Sequence, residues 1–223
     1  MKVAVFASGS GSNFAAVMEA IERQELSGIE VELLVCDRPG AHVLERAAQY
    51  GVPAFVFRAQ DYPDKQSFEQ EILERLESLG IELVVLAGYM RLIGETLLKA
   101  YGGRMINLHP SLLPAFTGKD AIGQAFRYGV KITGITIHFV DEGMDTGPII
   151  MQHPVPVYGD DDEETLAARI HEQEHRLLPQ VVQLIADGRV RLNGRQVYIQ
   201  AKECEYSEGV ENRERSTNKT SIN

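Results

Sequence analysis

Short apolar runs alternate with longer amphipathic segments through the first half of the chain. The runs have few polar interruptions, which is typical of strands buried on both faces of a sheet, and they cover residues 2–7, 30–36, 53–57, 83–87 and 104–107. In the segments between them, apolar residues recur every three or four positions, which predicts helices at 14–23, 41–50, 64–79 and 95–101. This alternation predicts an α/β fold with a doubly wound, mostly parallel, Rossmann-like sheet.

The second half of the chain departs from this pattern. After a predicted helix at 119–128, residues 131–140 and 148–157 form two long strand patterns with no helix between them. We therefore expect antiparallel strands that extend the sheet and are joined by a loop at 141–147. A long C-terminal helix is predicted for residues 163–186.

A hairpin and a polar tail follow the long helix. Pro179 predicts a kink within that helix, and two short strand patterns joined across Asn193-Gly194 predict the hairpin. From Lys202 onward the sequence is polar with few apolar residues, which predicts disorder. We therefore assign a single domain to residues 1–200 and a tail to residues 201–223.

Composition and charge argue against several classes of partner. The net charge of −10 and the lack of a Lys/Arg cluster do not suit a nucleic-acid surface, which needs clustered positive charge. The sequence shows neither a signal-peptide pattern nor an apolar segment long enough to span a membrane. Its two cysteines, Cys36 and Cys204, are far apart and lack metal-ligand spacing, which favours a reducing compartment. We expect a cytoplasmic protein that binds neither nucleic acid nor membrane.

A glycine-rich loop, ASGSGSN at 7–13, lies between the first predicted strand and the first predicted helix. Gly9 and Gly11 allow a tight turn in which backbone N–H groups and the helix N-terminus face an anion. Ser12 and Asn13 add side-chain donors, and either residue type suits the N-cap. The loop therefore indicates a phosphate site. The alternative interpretation is a purely steric need for glycine at a strand-to-helix turn.

A dinucleotide site is the first alternative for this loop. Asp37 follows the second predicted strand, where dinucleotide-binding proteins carry an acid that binds the ribose. The third glycine of that fingerprint is missing, because Phe14 stands where a small residue would let helix and strand pack closely. One phosphate fits better than a pyrophosphate, so a nicotinamide-dependent oxidoreductase is a minor alternative.

Two polar residues lie at the end of the fifth predicted strand, in the stretch MINLHPSLLPAF at 105–116. Strand alternation places Asn107 and His109 on one side, at the sheet edge where α/β proteins bind ligands. An amide can donate to a developing oxyanion, and an imidazole can move a proton near neutral pH. Pro110 and Pro114 would stiffen the loop that follows, and a cis bond before Pro114 is compatible with the sequence. The pair predicts an acid–base site.

A carboxylate beside the imidazole would stabilise its protonated form. Asp141, Glu142 and Asp145 all lie in the loop between the two long strands, and the sequence does not choose among them. His138 competes for the acid–base role, but its apolar neighbours favour a structural or pocket-lining position. A zinc site built from His109, His138 and an aspartate is an alternative that no short ligand spacing supports.

Four segments together resemble the phosphoribosylglycinamide formyltransferases, folate-dependent enzymes of purine synthesis. They are SGSGSN at 8–13, LAGYMRLI at 86–93, INLHPSLLP at 106–114 and DEGMDTGPI at 141–149. The resemblance covers nearly all of residues 1–200. It implies transfer of a formyl group from 10-formyltetrahydrofolate to the amine of glycinamide ribonucleotide, without a metal. A homodimer is compatible with the sequence, which does not fix the oligomeric state.

The resemblance also implies roles for individual residues. Asn107, His109 and Asp145 match the catalytic residues. The positions that match contacts to the ribonucleotide are Gly11, Ser12, Asn13 and Glu174. The positions that match contacts to the folate are Met90, Arg91, Leu92, Ile93, Val140 and Asp141, together with Asn107 and Asp145. Lys65 aligns where relatives commonly carry an arginine near the glutamate tail of the folate, so a charge contact survives but bidentate geometry does not.

Related enzymes and one other class are the remaining alternatives. A methionyl-tRNA formyltransferase would carry an additional basic C-terminal domain, and a formyltetrahydrofolate hydrolase an N-terminal regulatory domain. We expect neither, because the C-terminus is short and polar and the sequence begins at the first strand. A sugar-amine formyltransferase has no need of the SGSGSN loop. A non-catalytic folate- or nucleotide-binding module would not need the intact Asn-His-Asp set.

Overall fold

Residues 1–201, which are those described by a computed structural model, form two β-sheets and six α-helices. The strands are β1 (Lys2–Ala7), β2 (Glu30–Cys36), β3 (Ala54–Val56), β4 (Leu83–Leu86), β5 (Met105–His109), β6 (Ile132–Phe139), β7 (Ile149–Pro156), β8 (Val190–Asn193) and β9 (Gln196–Ile199). The helices are α1 (Ser12–Glu22), α2 (Val43–Gln49), α3 (Lys65–Leu79), α4 (Glu95–Tyr101), α5 (Ala121–Tyr128) and α6 (Glu163–Ala186). The predicted disordered tail from Lys202 lies outside the described residues.

The main sheet has seven strands in the order β3-β2-β1-β4-β5-β6-β7. The strands from β3 to β5 in this order run parallel, whereas β6 pairs antiparallel with β5, and β7 with β6. The predicted doubly wound sheet with antiparallel extensions is thus confirmed. The strand order reverses between β1 and β4, which is where open α/β sheets bind ligands beyond their carboxyl ends.

Apolar side chains cover both faces of this sheet. On one face, α1 and α6 bury residues such as Phe14 and Leu178, and Leu108 of β5 joins them. On the other face, α3 and α4 bury residues such as Ile72 and Leu97. Burial on both sides explains why the parallel strands are continuous apolar runs in the sequence.

Two element boundaries differ from the prediction and move functional residues. Helix α1 begins at Ser12, because Gly11 occupies the N-cap with a left-handed φ of 74°. The expectation that Ser12 or Asn13 caps this helix is wrong. Strand β5 continues to His109, two residues beyond the predicted end, because His109 pairs with Thr136 of β6. The antiparallel partner therefore holds the His109 backbone in the ladder.

Helix α6 brings residues from late in the chain beneath the glycine-rich loop. Its start is stabilised by a capping box, in which Asp162 accepts from the Thr165 N–H and the Thr165 hydroxyl accepts from the Asp162 N–H. Pro179 lies inside the helix without ending it. Packing of α6 on α1 brings Glu174 within hydrogen-bond distance of Asn13.

Candidate active site

A cavity of about 470 Å³ opens at the carboxyl ends of β1, β4 and β5. Its wall contains residues 9–13, 86–93, 107–110, 118–122, 138 and 140–145, with His171 and Glu174 from α6. This is the sheet edge at which the sequence predicts a ligand crevice. Every predicted site residue except Lys65 lies in the wall of this one cavity.

Lys65 is not part of the cavity wall and lies at the start of α3. Its Nζ is 3.8 Å from Oε1 of the buried Glu69, whose carboxylate also accepts from the Gly94 N–H at 2.6 Å. Lys65 thus lies where the segment after Ile93 meets α3. Its contact with a folate stays a prediction.

The glycine-rich loop needs its two glycines for different reasons. A Cβ at Gly11 would overlap the Val43 side chain of α2, and the positive φ of Gly11 disfavours any other residue. The steric interpretation therefore holds for Gly11. A Cβ at Gly9 would meet nothing within 4 Å, so packing does not explain that glycine. No side chain among the described residues caps α1, which leaves first-turn N–H groups of the helix available to an anion.

Polar groups of α1 and α6 meet beside this loop. The Asn13 amide donates from Nδ2 to Oε2 of Glu174 at 3.0 Å, and Nδ1 of His171 lies 2.9 Å from the same oxygen. This hydrogen bond to Glu174 raises the pKa of the His171 imidazole, although partial burial acts in the opposite direction. The spacing of His171 and Glu174 on one helical face was a signal in the sequence that our prediction did not use.

His109 is buried with both ring nitrogens facing an oxygen. Its Nε2 is 2.8 Å from the backbone carbonyl oxygen of Phe116, and Nδ1 is 3.5 Å from Oδ2 of Asp145. Because a carbonyl can only accept, Nε2 carries a hydrogen. Nδ1 is then the ring nitrogen that faces the carboxylate.

Asp145 is the carboxylate of the loop that reaches His109. Its Oδ2 also accepts from the Gly118 N–H at 2.7 Å, and its φ of 56° lies in the left-handed region that non-glycine residues rarely adopt. Burial raises the pKa of the Asp145 carboxyl, but His138, the Gly118 N–H and His109 together lower it by more, so the group is ionised at neutral pH.

The other two acids of this loop point elsewhere. Asp141 accepts from the Thr146 hydroxyl at 2.6 Å and from the Gly143 N–H at 3.1 Å, within its own loop. Glu142 is exposed. The geometry thus separates three acids that the residue pattern alone left equivalent.

His138 fixes the orientation of the Asn107 amide. With Nδ1 donating to the Phe139 carbonyl at 2.8 Å, the neutral His138 ring accepts at Nε2 from Nδ2 of Asn107 at 3.1 Å, and the same Nε2 is 3.8 Å from Oδ1 of Asp145. The same Nδ2 also donates to Oδ1 of Asp145 at 3.4 Å. His138 lines the cavity, so its predicted pocket-lining position is confirmed. The antiparallel register, in which Asn107 pairs with His138, produces this contact.

Two further properties concern the alternatives raised from the sequence. Among residues 1–201, no group of three or more His, Cys, Asp or Glu side chains is arranged to hold a metal ion. No helix in the same part of the chain is long and apolar enough to cross a membrane.

The sequence matches a known protein family. The family model described as formyl transferase matches residues 1–182. The chain belongs to the formyl transferase family. This confirms the resemblance stated from the four motifs, and family membership makes the chain a formyltransferase.

Individual relatives share both sequence and fold. The chain is 55% identical over 181 residues to the phosphoribosylglycinamide formyltransferase of Bacillus subtilis, which covers 81% of this chain and 92% of that protein. The glycinamide ribonucleotide transformylase 1 of Geobacillus kaustophilus has a crystal structure that is 59% identical, with a TM-score of 0.80, covering 82% of this chain and 97% of that one. The crystal structure of the corresponding enzyme of Symbiobacterium toebii is 42% identical, with a TM-score of 0.87. The match covers 90% of this chain and 94% of that one.

Proposed function

We propose that this formyltransferase transfers the formyl group of 10-formyltetrahydrofolate to the amine of glycinamide ribonucleotide. The products are formylglycinamide ribonucleotide and tetrahydrofolate, in de novo purine biosynthesis. The names of the relatives support this choice of acceptor. The observation that carries the proposal is one cavity with an Asn-His-Asp group at one end and an uncapped helix N-terminus at the other.

The glycine-rich end would hold the ribonucleotide. First-turn N–H groups of α1 and the positive end of its dipole suit a phosphate, and the open space at Gly9 lets the phosphate approach the backbone. Glu174 would accept from the hydroxyl groups of the ribonucleotide. Its carboxylate is already oriented by Asn13 and His171.

The folate would lie against residues 88–93, which we call the donor loop, and against the loop at 140–145. Apolar side chains at the cavity mouth are unusually exposed, with Met90, Leu92 and Met144 each at least half accessible. Such a patch suits the flat, largely apolar ring system of a folate. Val140 and Ile93 also line the cavity.

The chemistry follows from the groups at the reacting end. The amine attacks the formyl carbon, which forms a new C–N bond and a tetrahedral intermediate with an oxyanion. The Asn107 N–H would donate to this oxygen, and so would Nδ1–H of a protonated His109, whose 3.5 Å contact with Asp145 is long enough to be exchanged for it. The C–N bond to the folate then breaks, as a proton passes from the attacking nitrogen to the leaving one.

Asp145 would act through His109 and through the moving proton. Its carboxylate is ionised and faces Nδ1 of His109, so it favours positive charge on the ring as the oxyanion forms. The long 3.4 Å contact from Asn107 is one that a formyl oxygen can replace. No step needs a covalent enzyme intermediate.

A direct assay with two amine acceptors and a control without an amine tests this proposal. Purified protein is mixed with 10-formyltetrahydrofolate and glycinamide ribonucleotide, an amino-sugar nucleotide, or no amine, and the tetrahydrofolate product is followed by absorbance. We expect tetrahydrofolate to form only in the reaction that contains glycinamide ribonucleotide. Turnover without an amine would identify a hydrolase, and turnover with the amino sugar would identify a sugar-amine formyltransferase. Either result would overturn the proposal.

A further inference from the structure

Asp37 connects the donor loop to the ends of strands β1 and β2. Asp37 follows β2, Ser8 follows β1, and the donor loop follows β4. In the sheet, β1 lies between β2 and β4, so the three segments meet at the same end of the sheet. Oδ1 of Asp37 accepts from the Ser8 hydroxyl at 2.5 Å, and Oδ2 accepts from Nε of Arg91 at 2.7 Å. Ser8 in turn accepts from the Met90 N–H at 2.9 Å.

The direction of each hydrogen bond in this chain is fixed. A serine hydroxyl has one hydrogen, which it donates to Asp37, so only its lone pairs face the Met90 N–H. Both carboxylate oxygens of Asp37 are therefore engaged, and its side chain is 4% exposed. Asp37 is not part of the cavity wall, so it is not placed to bind the ribose of a dinucleotide.

The Arg91 side chain is held on two sides. Nε is bound to Asp37, and Cζ lies 5.8 Å from the centroid of the Phe68 ring of α3. The resemblance implies that Arg91 contacts the folate with its backbone and side chain. The geometry shows that at least one N–H of its guanidinium already has a partner within the protein.

We propose that Asp37 is a positioning residue for the formyl donor, which it affects through Arg91 and Ser8 rather than by contact. This inference rests on the proposed function, because it concerns the binding of a folate to the donor loop. The buried carboxylate fixes the Met90 N–H and the Arg91 side chain before the folate arrives. Such preorganisation lowers the conformational cost of binding.

Asp37→Asn is the variant that tests this role with the least change of shape. An asparagine oxygen can still accept from Ser8, but its NH2 group then faces Nε of Arg91, so two donors oppose each other. We expect the dissociation constant for tetrahydrofolate, measured by calorimetry, and the KM for 10-formyltetrahydrofolate to rise about tenfold. We expect kcat and the KM for the ribonucleotide to change little.

A double-mutant cycle distinguishes positioning of Arg91 by Asp37 from a contribution of Arg91 to folate binding that does not depend on Asp37. If Asp37 acts through Arg91, Arg91→Gln weakens folate binding by a similar factor, and the double variant is no worse than either single one. If Arg91 binds folate independently of Asp37, the effects of the two single substitutions on the dissociation constant add. Alternatively, Asp37→Asn strengthens folate binding, because it releases the guanidinium. Either of the latter results would overturn the inference.

A matched control removes an ion pair of comparable burial outside the cavity. Asp161 binds Arg169 at 2.6 Å with its side chain 4% exposed, and neither residue lines the cavity. Asp161→Asn should lower the thermal midpoint without changing folate affinity. If it weakens folate binding as Asp37→Asn does, general destabilisation explains both effects and the inference fails. A wild-type protein that neither binds tetrahydrofolate nor forms product would overturn the proposed function itself.

Discussion

The two ends of the cavity are built from different parts of the chain. At the glycine-rich end, backbone N–H groups of α1 lack a side-chain cap and Gly9 borders open space. At the reacting end, Asn107, His109 and Asp145 bind one another and nearby backbone groups. An open set of donors suits an anion that arrives with the substrate, whereas a closed network fixes reacting groups in place. Substitutions at the two ends should therefore separate binding from turnover.

Loss of the Asp145 carboxylate should reduce turnover about as strongly as loss of the His109 imidazole. In Asp145→Asn, no negative charge faces His109, so kcat should fall about a thousandfold, as for a base that loses its orienting acid. The KM for the ribonucleotide should change little, because Glu174 and α1 are unaffected. Steady-state kinetics check this result, with the exposed, distant Asp160→Asn as the control. Normal turnover in Asp145→Asn would show that the negative charge of Asp145 plays no part in the chemical step.

Gly11→Ala should instead damage the fold. A Cβ would overlap Val43 and the backbone would keep a positive φ, so we expect a loss of about 2–4 kcal/mol in the free energy of unfolding. Urea denaturation measures this loss. Gly159→Ala is the matched control, since Gly159 has no positive φ and a Cβ there meets nothing within 4 Å. Equal stability of the two variants would contradict the packing argument.

Gly9→Ala sharpens the comparison between the two glycines of the loop. The methyl group has room in the free protein but occupies space that borders the cavity, so stability should match that of Gly159→Ala. The KM for the ribonucleotide should rise about tenfold if a phosphate approaches this backbone. Isothermal titration with the ribonucleotide provides the independent measurement. Unchanged affinity would show that no phosphate lies against Gly9.

The smallest expected effect is the pH dependence of stability at His171. Glu174 raises the pKa of His171 in the folded protein, so protonated His171 stabilises the fold. This stabilisation is present in full below the pKa of histidine in the unfolded chain, about 6.5, and is lost as the pH rises through the higher pKa of the folded state. His171 is half exposed, so screening limits the change to a few tenths of a kcal/mol. Urea denaturation at pH 6 and 8.5 should show a larger loss for wild type than for His171→Gln. Identical losses would contradict the Glu174 contact.

The sequence predicts the architecture well because the central strands β1, β4 and β5 are buried on both faces. Continuous apolar runs identify β1 and β4, and two consecutive strand patterns identify the antiparallel pair β6 and β7. Alternation also places Asn107 and His109 on one side of β5. These are local properties, in which a residue and its near neighbours determine the outcome.

Contacts between distant segments were not predictable in the same way. The choice of Asp145 over Asp141 depends on a loop conformation with a positive φ, which no local pattern specifies. The role of His138 depends on the register of β5 and β6. The position of Asp37 after β2 suggests a dinucleotide acid only as a minor alternative, and its actual partners come from the loops after β1 and β4.

The central claim is that His109 and its neighbours perform the chemical step while the glycine-rich end binds the ribonucleotide. The most direct test is the single-turnover rate of formyl transfer by His109→Ala, measured beside the dissociation constant for glycinamide ribonucleotide in the same preparation. The account predicts a rate about a thousandfold below wild type with little change in that dissociation constant. A near-normal rate, or a dissociation constant that rises in parallel with the loss of rate, would contradict it.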